Sequence, residues 1–356
     1  MSYQTIISYE GVSIQIQAQC ETAISSLRKI DRTIERIRET AKTLRSEEVK
    51  EYEQYLLKSK KEIESKIETF QKSLDQYHAM TTYDKNEYQR TVAELNGQAN
   101  SLSSAAASLT GSKLQAIEAM IREGLLQEGA TVFHRIKEGS SKVTLDPSIL
   151  DRINAIEDVS LRQLALIEAN KGQKSSFEEI LSSAQIQYNE LLEDSKKGFV
   201  EEAIEEMRTG GVDESTIHRV ISQSSSMDEI SEQVSSAITD ERVRKETLKV
   251  IIKAIKARGF IVDTRKNLKI DREKNVVRLV ALKASGQKAE FEIQLSGKFM
   301  YRFDGYEGQA CKKDIEPFMN DLTSIYDINV LHEEVIWDNP DKILMQQQQH
   351  LKTKKN

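Results

Sequence analysis

The chain has 356 residues, of which 30% are charged, 38% hydrophobic and only 6% aromatic. A thick globular core needs more aromatic volume than this, whereas long helices need only a narrow aliphatic stripe. The regular spacing of the aliphatics excludes a disordered chain of the same charge. The formal net charge of −6 hides a split: residues 241–300 carry 16 Lys/Arg against 7 Asp/Glu, residues 301–356 carry 7 against 10, and the first 240 carry 28 against 40.

Residues 1–18 do not read as helix: the β-rich run Ile6-Ile7-Ser8-Tyr9 and then Glu10-Gly11 precede an apolar/polar alternation from Val12 to Ala18. Period two predicts strand, as a β-hairpin or an extended arm. The start has neither the basic nor the apolar region of a signal peptide, and no window is long and apolar enough to span a bilayer, so no membrane association and a cytoplasmic location are expected.

Helical spacing then takes over. Cys20, Ala23, Leu27, Ile30, Ile34, Ile37, Ala41 and Leu44 alternate three and four residues apart. That heptad stripe keeps one face turned towards a neighbouring helix. Ser46-Glu47-Glu48 reads as a helix restart, with acids where the helix dipole favours them. Tyr52, Leu56, Ile63 and Ile67 follow, and after a break at residues 81–84 a third run holds Tyr88, Val92, Leu95, Ala99, Leu102 and Ala106. Thr110-Gly111-Ser112 should end or kink that helix. Gly124 and Gly129 should divide or bend the next, since glycine costs about 1 kcal/mol relative to alanine inside a helix. Asp146-Pro147 has the form of an N-cap followed by proline at the first helical position. One long helix should follow, with a soft point at Lys171-Gly172, until Thr209-Gly210-Gly211 stops it.

Two short helices are expected between Val212 and Ile238. From Asp240 the pattern changes class: a helix to Arg258-Gly259, strands near Phe260, 267–270, 275–282, 288–295 and 299–303, a helix over 310–326 and a last strand over 328–337. The expected fold is therefore mainly α. An elongated antiparallel coiled-coil bundle (19–138) leads through a long helix and connector (139–239) to a small α+β domain with an antiparallel sheet (240–340), then a tail (341–356).

Catalytic signatures are weak. Gln309-Ala310-Cys311 is followed by Lys313 where a cysteine-protease motif needs glycine. Lys312 and Lys313 would favour a thiolate, but the common outcome for such a thiol is a buried structural one. Cys20 and Cys311 lie too far apart in sequence to suggest a disulfide framework or a local thiolate metal site. His78, His134, His218, His332 and His350 stand singly, without metal-ligand spacing. Gly305 and Gly308 make neither a dinucleotide fingerprint nor a phosphate loop. No enzyme activity, cofactor or metal is implied.

Two features are site-like. One is the interaction seam of Leu27, Ile30, Ile34, Ile37, Leu44, Val92, Leu95 and Leu102, which requires partner helices from this chain or another. The other is the basic run of Lys253, Lys256, Arg258, Arg265, Lys266, Lys269, Arg272, Lys274 and Arg278, which would bind phosphates if it converged on one face. The expectation is a non-catalytic scaffold or adaptor, as a homo-oligomer or in a hetero-complex, of the kind that serves a bacterial multi-component system. Nucleic acid is the alternative partner, and an elongated co-chaperone or secretion partner is a third reading.

Overall fold

The computed structural model describes residues 3–44, 49–79, 85–140, 146–173, 176–271, 274–297, 299–306, 310–324 and 328–338. The chain is mainly α with a small α+β region. Its internal contacts group into two units. One is Gln19–Met207 with Arg219–Ser236; the other is Met1–Ala18, Arg208–His218 and Ala237–Asn356. Among the described residues no helix is long and apolar enough to cross a membrane.

The chain begins with strand β1 (Tyr3–Gly11) and passes directly into helix α1 (Val12–Leu44). The alternating run from Val12 to Ala18 is therefore helix, and no local hairpin forms. β1 finds its hydrogen-bond partners some 290 residues away rather than in the adjoining segment. Once those partners are supplied, nothing requires a second local strand.

In the helical unit α1 pairs with α2 (Val49–Ala79). Arg38 Nε donates to Glu53 Oε1 at 2.7 Å, and Lys60 reaches Asp31. One sequence rises as the other falls, so the two helices are antiparallel. α3 (Lys85–Ser108) packs on α2. The aliphatic stripes point inwards: Leu27, Ile30, Ile34, Ile37, Leu56, Leu95 and Leu102 are all buried within the single chain. The side chains of Leu44 and Val92 lie outside the described residues.

Gly111 interrupts the helix with a non-helical ψ of −131°, inside a π turn over Leu109–Lys113. A break of this kind frees backbone N–H groups. Asp228, near the start of α10 (Met227–Ala257), supplies the acceptor. Ser112 N and Oγ donate to Asp228 Oδ1 at 2.7 and 2.9 Å. The carboxylate sits so close that a β-carbon at Gly111 would meet it at 2.2 Å. Beyond the kink run α4 (Leu114–Arg122) and α5 (Leu125–Lys137), separated by Gly124 at φ 70°. Gly129 does not break α5. It lets α5 approach α7 (Val159–Asn170), where the Gln163 side chain occupies the space a β-carbon would take.

The expected long helix after Pro147 is three helices: α6 (Pro147–Asn154), α7 and α8 (Phe177–Gly210). Asp146 caps α6 through Ser148 N at 2.8 Å, and Asp158 caps α7 through Leu161 N at 2.9 Å. α9 (Glu214–Gln223) follows. α10 then runs unbroken through residue 240, because its sequence holds no glycine or proline. The change in charge there alters the helix surface and leaves its backbone intact.

The other unit holds α11 (Thr264–Asn267), β2 (Leu268–Asp271), β3 (Val276–Leu282), β4 (Lys288–Gln294), β5 (Phe299–Asp304), α12 (Lys312–Ser324) and β6 (Ile328–Asp338). Phe260–Val262, expected as a strand start, contributes only an isolated bridge from Ile261 to Leu282. The six-stranded sheet has the order β2-β3-β4-β5-β1-β6 and is antiparallel where its strands pair. β1 lies between β5 and β6, with Tyr3 opposite both Phe303 and Asp338.

One face of this sheet carries the core. Leu279, Ala281, Ala289, Phe291, Ile293, Phe299, Tyr301 and Phe303 alternate inwards and meet Ile251 and Ile255 of α10 and Phe318 of α12. Seven of the chain's aromatics gather here, Phe303 lying edge-on to Phe260, Phe291 and Tyr301 at 5.9, 6.1 and 5.7 Å. The opposite face is charged, with Arg278 Nε 2.9 Å from Glu292.

Asp228 acts on the kink as an N-cap acts on a helix. Replacement by alanine should lower unfolding free energy by about 1 kcal/mol. Urea titration of Asp228→Ala with an unchanged midpoint would remove that role.

Candidate functional site

The α+β unit has one edge that is both basic and unpaired. β2 ends the sheet, hydrogen-bonded only to β3. Its four residues alternate across it: Leu268 and Ile270 stand opposite Leu279 and Val277 on the helix-covered face, while Lys269 stands opposite Arg278 on the other. Ile270 is 57% exposed despite facing the core side, because the edge ends there. Farther along the same edge of β3, but on the face that carries Arg278, Ile261 (64% exposed) bridges Leu282 (44%). α11 packs against both β2 and β3.

The nine cations read from the sequence divide sharply. Arg258 is held by Asp321 of α12, its Nε 3.2 Å from Oδ2. Arg278 lies between Glu292 at 2.9 Å and Asp271 at 3.6 Å. Arg272 is outside the described residues. Lys253, Lys256, Arg265, Lys266, Lys269 and Lys274 are exposed, and none has an ion pair among the described residues. Four of these six belong to the edge: Arg265 and Lys266 on α11, Lys269 on β2, Lys274 in the turn after it. Lys253 and Lys256 lie on α10. Lys256 is in its last turn, where a cation offsets the negative end of the helix dipole. Lys269 faces a like charge in register, and the two carboxylates near that pair engage Arg278, so Lys269 stays uncompensated.

A buried polar network fixes the turn that carries Lys274. Asn275 has φ 51°, a left-handed conformation that asparagine tolerates better than most residues. Arg244 of α10 donates through Nη1 to Asn275 Oδ1 at 2.7 Å and to its carbonyl at 3.3 Å. Asn275 Nδ2 donates to Thr216 Oγ1 at 2.8 Å, and Thr216 Oγ1 donates to Asp213 Oδ2 at 2.7 Å. Burial works against ionising Asp213, but hydrogen bonds from Ser215 and Thr216 hold its carboxyl below the usual value. Arg244 also forms an ion pair with Glu241, both almost fully buried. Burial pushes the Glu241 carboxyl up, and Arg244 and Lys245 pull against that shift. Lys245 closes the network on Gly210 O at 2.8 Å.

Sequence reasoning missed this network. The signals were an arginine among Val243, Thr247 and Ile251 on the apolar side of a helix, and an asparagine in a turn between two β runs. The pairing itself spans residues 213 to 275, and no local pattern displays it.

In the cysteine motif, Gln309 lies outside the described residues. Cys311 is buried, and its carbonyl accepts from Asp314 N and Ile315 N at 3.0 Å each, as the first residue of the α12 turn. Asp314 is occupied by Lys283 at 2.7 Å and by the Tyr306 hydroxyl at 2.6 Å, and burial pushes the Tyr306 hydroxyl up. Among the described residues His134 pairs with Glu138, at 3.1 Å, and His218 is exposed. The side chains of His78, His332 and His350 are outside the described residues. Among the described residues no three His, Cys, Asp or Glu side chains gather as a metal site would need.

Comparison with protein-family models, with curated proteins and with solved structures finds no match to this chain.

Breaking one partner of a buried ion pair strands the other, at a cost of about 3–5 kcal/mol. Arg244→Met should therefore destabilise the α+β unit by roughly that amount near neutral pH. The Glu241 folded pKa already lies above its unfolded value. Its favourable contribution is full below the unfolded pKa and is lost as pH rises through the folded one. Removing Arg244 raises the folded value further, so the deficit should shrink on acidification. Chemical unfolding across an acid-to-neutral series tests this, and a deficit independent of pH would contradict it.

Proposed function

We propose that the protein is a non-catalytic assembly scaffold whose helical unit is self-contained and whose α+β unit presents a basic sheet edge to a protein partner. The observation that carries this reading is the division of the cations: internal carboxylates hold Arg258 and Arg278, while Arg265, Lys266, Lys269 and Lys274 stay exposed beside an open strand with no ion pair among the described residues. The burial of the heptad stripes within one chain supports a second part of the reading. Association that used those stripes would require unfolding helices already packed on one another, so the partner surface lies elsewhere.

The second reading, phosphate binding by the same cations, draws on their number. Two features weigh against it. Single-stranded nucleic acid binders add aromatic platforms on which bases stack. The only aromatic residue between 253 and 282 is Phe260, which is buried. The exposed isoleucines at the edge also have no use on a phosphate backbone.

The test pairs one variant with two assays. Lys266→Glu/Lys269→Glu should abolish a stoichiometric protein complex isolated from native extract by size exclusion, while its own unfolding midpoint stays near that of the parent. The parent should give no shift with single- or double-stranded DNA at low salt. A DNA shift that weakens steeply with salt and disappears in the double variant would replace the scaffold reading with the phosphate reading.

A further inference from the structure

From the chemistry of this edge we infer that β2 is a docking strip for an extended, acidic segment of the partner protein, which adds to the sheet as a seventh strand. The inference rests on the scaffold reading above and names the class of partner.

A terminal strand presents backbone N–H and C=O groups with no partner, and an incoming chain can satisfy them as another strand would. β2 is such a strand, paired on one side only. Its side chains give it a two-sided code. Ile270 is exposed on the helix-covered face and Lys269 on the charged face. A segment lying alongside would match both if it alternated apolar and acidic residues, with an aliphatic side chain beside Ile270 and a carboxylate beside Lys269. Opposite charges and apolar pairs across neighbouring strands each stabilise the pairing, and like charges oppose it. Arg265 and Lys266 before β2, and Lys274 after it, extend the positive field to both ends of the segment. Ile261 and Leu282 offer further apolar surface along the same edge of β3, on its Arg278 face.

The same charges argue against the other occupants. A second copy joined β2 to β2 would bring Lys266 and Lys269 of each chain together. A nucleic acid would satisfy the cations but leave the exposed isoleucines against phosphate and sugar. An acidic strand uses the backbone, the isoleucine and the lysine at once.

The full-length protein is titrated with three fluorescent probes: a capped peptide alternating Glu and Val, its counterpart alternating Lys and Val, and a single-stranded DNA of matched charge. The Glu/Val peptide should bind, bind more weakly as salt is raised, and slow amide exchange within residues 268–271. Lys266→Glu/Lys269→Glu should weaken it by about ten-fold, the loss of two exposed charge pairs. Lys197→Glu, on α8 of the helical unit, should leave the affinity unchanged. Binding of the DNA probe in place of the peptide, protection confined to other strands, equal binding by the Lys/Val peptide, or β2-mediated dimerisation of the free chain would each overturn the inference. If the peptide fails while the stoichiometric complex from extract persists and depends on Lys266 and Lys269, the strand-addition inference falls and the scaffold reading stands.

Discussion

A guanidinium taken out of water needs partners, and Arg244 finds them in Glu241 within its own helix, in Asn275 of the β2–β3 turn and, through Asn275, in Thr216 and Asp213. This constraint decides the local geometry of the α+β unit. Asn275 is held in a left-handed conformation by three hydrogen bonds, which fixes where β2 turns back from β3. Without that anchor a four-residue edge strand with one neighbour would have little to hold its register, because short strands with few cross-strand pairs fray readily. Lys274 therefore stands next to an anchored Asn275, and the anchor comes from a buried ion pair. A hydrophobic replacement of similar size could give equal stability, as it often does for buried ion pairs. It would not reproduce the bonds that orient Asn275.

The helical half follows a different logic. Its helices are polar over most of their surface, and none would be stable alone. They hold together because aliphatic positions at three- and four-residue spacing all need the same shelter. Side chains such as Ile30 and Leu56 reach zero exposure in a unit with few aromatics. Interhelical polar contacts set the pairing: Lys29 with Glu206, Arg38 with Glu53, and Thr33 with Glu118 at 2.8 Å. Such surface-flanking pairs contribute little energy, yet they discriminate between alternative alignments of stripes that look alike.

The two halves also differ in how much their sequences reveal. Local periodicity suffices for the stripes at Leu27–Ile37 and Leu95–Leu102, for the kink at Gly111 and for the cap at Asp146, since each depends on residues within a turn or two. The break at Asp158 was hidden because Ile153, Ile156, Leu164 and Ile167 keep a helical rhythm across it, and a single aspartate outweighs that rhythm only once its side chain caps α7. The place of β1 was hidden for a different reason. The alternation from Val12 to Ala18 is helix, whereas the β-rich run around Ile6–Tyr9 is the strand, and its partners lie far along the chain, where no local pattern points to them. The candidate site shows the same division. Counting residues located a basic stretch, whereas the distinction between Arg258, held by Asp321, and Lys269, with no ion pair among the described residues, depends on contacts that only the folded chain makes.

Lysine on a sheet edge is commonly a defence against unwanted pairing. Defence and recognition are compatible, because a charge that repels like strands attracts unlike ones, and discrimination between two partners depends only on the difference. What separates a merely protected edge from a receptive one is the accompanying apolar surface. Protection is best served by an edge that is polar on both faces. Here Ile270 and Ile261 stay exposed beside the cations, and each exposed aliphatic costs solvation free energy in the unbound chain. Asp271, Glu292 and Asp321 are engaged with Arg278 and Arg258, and among the described residues Lys269 and Lys266 have no ion pair. Open backbone, open isoleucine and open lysine on one short strand are three independent demands, and an acidic, alternating chain segment meets all three at once.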